Sequence, residues 1–198
     1  MTRLPIPFHD NEDIDELGAA AFLHVEAPSQ NNAQRYGALL FLNARGEPLE
    51  FAYNRVELIG NALWRPADRA VAAVRRLAAT LFQAVTLTPT LLLCRADTVP
   101  PYLFGPEGQI ELQFPVGRVA TAAEAVGYSP REAQVSLETA DRDGELIQTH
   151  VFWTPEAPVD RAADLFTRIS RRGLVLEPFE RAGKGLREVY GDPLGTAP

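Results

Sequence analysis

The chain has 198 residues, 46% hydrophobic and 23% charged, which is typical of a globular protein with one large domain or two small ones. Its formal net charge of −7 argues against unspecific binding to nucleic acid or anionic membranes over the whole surface. The single cysteine excludes an internal disulfide, and no apolar run approaches the roughly 20 residues of a membrane span, so we expect a cytoplasmic protein.

The first half of the chain predicts three strands, one helix and two more strands. Residues 1–18 combine two prolines with a run of carboxylates, which predicts a flexible acidic arm. Apolar residues at helical spacing predict a helix that starts at Pro66 and ends before Pro89. Apolar runs and alternating patterns predict strands over 19–26, 36–43, 49–56, 90–94 and 109–114.

The second half predicts another hairpin and another helix. Thr121 followed by Glu124 is a capping-box pattern for a short helix, and Gly127 marks the expected boundary between two subdomains. The elements expected after this boundary are hairpin strands over 133–139 and 145–153, a helix from Pro158 and a final strand over 174–176.

Together these elements predict an α+β fold with a mixed, largely antiparallel sheet. Two hairpin-helix-strand units build it, in the orders β-β-β-α-β-β and β-β-α-β. The predicted segments are a flexible acidic arm over 1–18, an α+β subdomain over 19–127, a second subdomain over 128–182 and a flexible tail over 183–198.

The sequence carries no motif of a known cofactor or metal site. Gly183-Lys184-Gly185 lacks the preceding strand and following helix that a phosphate-binding loop requires. The histidines His9, His24 and His150 are too far apart in sequence for a zinc motif, and His24 and His150 lie on predicted strands. Cys94 ends an apolar strand and is expected to be a small buried residue of the core. We therefore expect neither a cofactor nor a metal.

Three carboxylates form one constellation that has a chemical interpretation. Glu26 ends the first predicted strand, Asp97 follows the fourth, and Asp68 stands at the start of the helix. The first half of the chain resembles ribonuclease H-like folds in its order of elements. These folds also open with three antiparallel strands, then a helix and a strand. The resemblance implies a nuclease in which these carboxylates hold divalent metal ions, although the family's usual aspartate on the first strand is absent here.

Arginine supplies all the basic residues except Lys184, which together with the abundant alanine indicates the GC-rich coding of a bacterium. Arginines on the two predicted helices either face solvent or contact nucleic acid or an acidic partner surface. Aromatic residues near predicted loops either close the core or mark a protein-binding patch. The candidate binding residues are Arg65, Arg69, Arg76, Arg168, Arg171, Arg172, Trp64 and Trp153.

These observations leave three hypotheses for the function. The leading one is a non-catalytic accessory or adaptor subunit that binds a larger protein partner in a bacterial nucleic-acid-processing or defence assembly. It expects no membrane contact, and contact with nucleic acid only through local arginine stripes. The alternatives are the metal-dependent ribonuclease H-like nuclease using Glu26, Asp68 and Asp97, and a sensor with an apolar pocket for a small molecule between the subdomains.

Overall fold

The structure, a computed structural model, describes residues 17–28, 34–58, 64–104, 110–121, 134–140 and 146–191. Most of the predicted acidic arm and the short helix predicted after Thr121 lie outside this range. The described elements are β1 (Ala20–Glu26), β2 (Gln34–Leu42), β3 (Pro48–Glu57), α1 (Pro66–Ala84), β4 (Leu91–Arg95), β5 (Val116–Thr121), β6 (Gln134–Ala140), β7 (Leu146–Thr154), α2 (Asp160–Arg171) and α3 (Glu177–Tyr190). Among these helices, none is long and apolar enough to cross a membrane.

Seven strands form one mixed sheet in the order β3-β2-β1-β4-β5-β7-β6. The central strands β1, β4 and β5 are parallel neighbours, whereas β2, β3, β6 and β7 pair antiparallel. Because β1 and β4 are parallel and adjacent, their carboxyl ends meet at one edge of the sheet, where open sheets commonly bind ligands. The strands of the first half of the chain lie in the order β3-β2-β1-β4-β5.

Each face of the sheet is covered by helices, because the apolar central strands are buried on both faces. On one face, Leu77 and Leu81 of α1 pack with Leu23, Leu39 and their neighbours. On the opposite face, α2 and α3 cover alternating residues of the same strands. That layer includes Phe22, Leu40, Leu93, Trp153, Leu165, Ile169, Phe179 and Leu186.

The structure confirms the predicted α+β fold, with a mixed sheet that is largely antiparallel. The two predicted hairpins and the helix from Pro66 are present. The strand predicted over 109–114 is displaced, because the strand that joins the sheet begins after Pro115. One continuous sheet connects the two predicted subdomains through the pairing of β5 with β7. The division at residue 128 stays a prediction.

The end of the predicted fold requires a correction. Residues 174–176 form a turn and not a strand, and the predicted tail from residue 183 instead begins inside α3. The glycines and prolines from residue 183 onward suggested the tail, but Phe179, Ala182 and Leu186 of α3 are buried against the sheet. Burial of this apolar face outweighs the unfavourable helix propensity of glycine, which costs about 1 kcal/mol per residue.

Cys94 on β4 is fully buried, as expected for a small residue of the core. Burial raises the pKa of its thiol to about 12, with Asp97 adding to the rise and Arg118 opposing it. The thiolate is the nucleophilic form of cysteine, so this residue is unreactive at neutral pH.

Glu50 on β3 connects the edge of the sheet to the loop after α1. Its carboxylate accepts hydrogen bonds from the backbone N–H groups of Thr86 and Leu87, both at 2.9 Å, and from the Thr86 hydroxyl at 3.2 Å. The backbone hydrogen bond from Thr86, followed by that from Leu87, lowers the pKa of Glu50 below its ordinary 4.5.

Replacing Glu50 with glutamine is expected to lower the melting temperature at pH 7, because the charged form makes the stronger hydrogen bonds. A pKa that is lowered in the folded state stabilises the protein above the unfolded pKa, and this contribution disappears as the pH falls through the folded pKa. Thermal melts of the wild type and Glu50→Gln between pH 7 and pH 3 should therefore converge in acid. The exposed Glu138→Gln serves as the control, and a difference that persists unchanged at pH 3 would contradict the assignment.

Candidate functional site

A cleft of about 810 Å³ opens at the carboxyl ends of β1 and β4, beneath α3. Its polar lining comes from the ends of β1, β4 and β5 and from the first three turns of α3. These residues are His24, Glu26, Arg95, Asp97, Thr98, Thr121, Glu177, Glu180, Lys184 and Arg187. A smaller cavity of about 410 Å³ lies on the α1 side, and Val25, Asp97 and Thr98 line both.

The floor of the cleft holds a close pair, His24 and Glu26. These residues are two positions apart on β1, so both side chains lie on the face that α3 covers. His24 Nε2 lies 2.7 Å from Glu26 Oε1, and both side chains are only 16% exposed. The second polar atom of each, His24 Nδ1 and Glu26 Oε2, is buried and has no hydrogen-bond partner among the described residues. Buried polar atoms are rarely left in this state, so a bound polar group would satisfy them.

Two residues of α3 shape the space above this pair. A Cβ atom at Gly183 would lie 2.9 Å from Glu26 Oε1 and 3.1 Å from His24 Nε2, so glycine is what allows the helix to approach the pair. One turn further along α3, Arg187 Nη1 lies 3.6 Å from Glu26 Oε1. The Glu26 carboxylate is therefore held between an imidazole and a guanidinium.

Two of the other three carboxylates of the cleft, Asp97 and Glu177, also have cations beside them. Arg95 Nε lies 3.5 Å from Asp97 Oδ1, directly after the end of β4. Glu177 accepts two hydrogen bonds from Arg181, at 2.7 and 3.1 Å. Lys184 is exposed on the cleft side of α3, and no ion pair involving it is found within the described ranges. The lining of the cleft thus carries four carboxylates and three cations, and Lys184 is the cation best placed to meet a ligand anion.

The residues of this cleft do not fit the divalent metal ions that a ribonuclease H-like site would hold. Two-metal chemistry needs several carboxylates converging on the ions. In the described part of the chain, no three His, Cys, Asp or Glu side chains are grouped closely enough to hold a metal ion. Glu26 and Asp97 line the cleft, but Asp68 lies outside it on α1 and pairs with Arg65 at 3.0 Å. The structure therefore brings together two of the three predicted carboxylates.

The other predicted binding residues lie away from the cleft lining. Trp153 is buried in the core, so its side chain cannot belong to a surface patch, whereas Trp64 is 47% exposed. The arginines on the two helices lie outside the cleft lining, and a role for them in binding stays a prediction. The exposed members of this set are Arg65, Arg76, Arg168, Arg171 and Arg172, and Arg69 is half-buried.

Sequence reasoning did not identify His24, Lys184 or Arg187 as residues of one site. The spacing of His24 and Glu26 was an available signal, because residues two apart on a strand share a face. No comparable signal existed for Lys184 and Arg187, because their segment resembled a flexible tail.

The fold is similar to that of solved endonucleases. The catalytic domain of human Endonuclease V matches with a TM-score of 0.51 and 15% identity, over 88% of this chain and 84% of that chain. Endonuclease V from Bacillus subtilis matches with a TM-score of 0.52 and 11% identity, over 89% and 82%. Argonaute from Marinitoga piezophila, in complex with guide RNA, matches with a TM-score of 0.50 and 10% identity, over 92% and 31%. The sequence matches no family model and no curated protein.

These likenesses overturn the prediction of a non-catalytic adaptor subunit. The matched structures are endonucleases and an Argonaute in complex with guide RNA, and none of them is described as an adaptor subunit. At such low identity the likeness establishes only the fold, so the reaction has to be inferred from the residues of the cleft.

Proposed function

We propose that this protein is a nuclease that binds a nucleic-acid strand in the cleft and breaks a phosphodiester bond beside His24 and Glu26. The observation that carries the proposal is this pair, which is largely buried at the carboxyl ends of β1 and β4 and has two buried polar atoms without a hydrogen-bond partner among the described residues. Histidine is the side chain most often used to move protons near neutral pH, and a neighbouring carboxylate fixes its orientation.

The cleft residues have separate roles in this proposal. His24 accepts the proton of the attacking hydroxyl, and Glu26 holds the imidazole and stabilises its charged form across the 2.7 Å contact. Lys184 and Arg187, on the facing helix, lie where they can contact the phosphate oxygens and offset the charge that develops on them.

RNA is the substrate that suits this set of residues. The ribose 2′-hydroxyl is already part of the substrate, so its attack avoids the entropic cost of positioning a separate water molecule. The 2′-oxygen forms a bond to phosphorus as the bond to the 5′-oxygen breaks. His24 takes the hydroxyl proton, and the leaving 5′-oxygen takes a proton from solvent. The products are a 2′,3′-cyclic phosphate and a new 5′-hydroxyl end.

A nucleic-acid partner and a cytoplasmic location complete the proposal. The single cysteine, Cys94, is reduced and buried, as is common for proteins of a reducing compartment.

Wild-type protein is expected to cleave end-labelled RNA, but not DNA of the same sequence, and to do so in the presence of a chelator. The double change Lys184→Ala and Arg187→Ala should weaken RNA binding, because two phosphate contacts are lost. Each lost contact should also make the slope of the logarithm of the binding constant against the logarithm of the salt concentration less steep by about 0.7 for a single strand. Fluorescence anisotropy at several salt concentrations and denaturing gels measure the two effects.

Arg168→Ala with Arg171→Ala is the matched control, because both arginines are exposed on α2 and lie outside the cleft lining. This control should bind and cleave like the wild type. If this control lost as much affinity for RNA as the cleft variant, the binding surface would include α2 and would not be confined to the cleft. If no RNA were cleaved under any condition, the proposed activity would be refuted.

A further inference from the structure

Four aromatic rings form a continuous row from the edge of the sheet toward the cleft. Phe51 and Tyr53 on β3 lie 6.0 Å apart, Tyr53 and Tyr190 lie 5.9 Å apart, and Tyr190 and Tyr36 lie 5.0 Å apart, all between ring centroids. We name this set, Phe51, Tyr53, Tyr190 and Tyr36, the aromatic row. Its outer rings are open to solvent, since Phe51 is 37% exposed and Tyr53 is 47% exposed.

The local sequence explains why these rings remain outside the core. Phe51 and Tyr53 are two residues apart on the edge strand β3, so their side chains lie on the same face of the sheet. This face lies beside the last turns of α3. Gly185 allows this approach, because a Cβ atom there would lie 2.7 Å from the Phe51 ring. The helix therefore supports one side of the row and leaves the outer rings accessible.

The inner end of the aromatic row lies beside the residues that line the cleft, although none of its four rings lines the cleft itself. Tyr36, its buried inner end, is the register partner of Glu26 on the adjacent strand. Tyr190 lies three residues after Arg187 on α3, so the ring and the cation are neighbours on one helix face. Arg55 adds a second cation, with its guanidinium carbon 6.0 Å from the centre of the Tyr190 ring.

We propose that the exposed outer rings of the aromatic row, Phe51 and Tyr53, are a stacking platform for the unpaired bases of the nucleic-acid strand whose phosphates occupy the cleft. This inference rests on the proposed function and narrows its substrate to single strands. Aromatic rings combined with cations that track the backbone are the usual means of binding single strands without sequence preference. In a duplex the bases are already stacked on each other, so they cannot use these rings.

The test compares three labelled ligands of equal phosphate number by fluorescence anisotropy: a single-stranded oligothymidylate, an abasic strand and a duplex. Wild-type protein should bind oligothymidylate at least about fivefold more tightly than the abasic strand, since each stacked base contributes about this factor or more. Phe51→Ala with Tyr53→Ala should remove this preference while leaving affinity for the abasic strand unchanged. DNA is suitable here because binding, not cleavage, is measured.

Two controls keep stacking separate from folding and from surface hydrophobicity. Leu146→Ala removes a side chain that is 71% exposed at the opposite end of the sheet and should change nothing. Phe51→Leu with Tyr53→Leu keeps apolar bulk against α3 but loses the ring faces, so it should behave like the alanine variant. Circular dichroism melts confirm that the variants are folded.

The outcomes distinguish a failure of this inference alone from a failure of the proposed function. Equal wild-type affinity for the oligothymidylate and the abasic strand would overturn the stacking platform and leave binding in the cleft intact. Absence of binding to all three ligands would overturn both. If Phe51→Ala with Tyr53→Ala changed the elution volume on size-exclusion chromatography but kept the wild-type affinity for oligothymidylate, the row would be a contact between two copies of the chain. This outcome would also overturn the stacking platform.

Discussion

Trp153→Ala is expected to lower the free energy of unfolding by about 3–5 kcal/mol, the usual cost of truncating a large buried aromatic side chain. Trp153 is 1% exposed and packs edge-on against Phe166 of α2, with ring centroids 4.9 Å apart. It also covers Gly117 on β5, where an added Cβ would lie 2.8 Å from the indole. The side chain therefore fills the space between the sheet and α2.

The cost should come from packing and not from a lost hydrogen bond. Trp153 Nε1 has no hydrogen-bond partner among the residues that the structure describes. Trp153→Phe keeps an aromatic ring and should therefore cost clearly less than the alanine change. In a chain of this size, the alanine change corresponds to a drop of roughly 6–20 °C in melting temperature.

Trp64→Ala provides the matched control, since the only other tryptophan of the chain is 47% exposed. Its change should stay within about 0.5 kcal/mol of the wild type. Urea unfolding followed by circular dichroism suits the comparison, because it does not depend on tryptophan fluorescence. A cost below about 1 kcal/mol for Trp153→Ala would contradict its place in the core.

The predictable part of this fold is the part governed by local periodicity. The apolar run of β2, the alternation of β3 and the repeat of α1 each mark their element directly in the sequence. The start of α1 is also marked, by Pro66 with Asp68 in the first turn.

The unpredictable part depends on contacts between distant segments. Gly183 and Gly185 disfavour a helix locally, but each lies where another side chain would collide with β1 or β3. The same contacts place Lys184 and Arg187 over the cleft, so the missed helix and the missed cations have one cause. Asp97 could be placed from the sequence because it lies two residues after the end of β4. The separation of Asp68 from the cleft depends instead on how α1 packs against the sheet, which the sequence does not show.

His24→Ala is expected to reduce RNA cleavage by about 10²–10⁴-fold, which is the usual contribution of general acid–base catalysis. The same loss is expected for Glu26→Gln if the carboxylate orients the imidazole across the 2.7 Å contact and stabilises its charged form. RNA affinity should change little in either variant, because Lys184 and Arg187 carry the phosphate contacts. The loss should therefore appear in kcat and not in KM.

His150→Ala is the control that makes this prediction specific. His150 is also a half-buried histidine on a strand, and its Nδ1 lies 2.9 Å from the Ser136 hydroxyl, but it lies outside the cleft lining. Replacement of His150 should leave RNA cleavage unchanged. The control therefore distinguishes loss of the proton acceptor His24 from a general effect of removing a histidine from a strand. If His24→Ala cleaved RNA at the wild-type rate, or if His150→Ala were equally impaired, His24 would not be the proton acceptor. In that case the pair with Glu26 would have to be a structural contact that closes α3 onto the sheet.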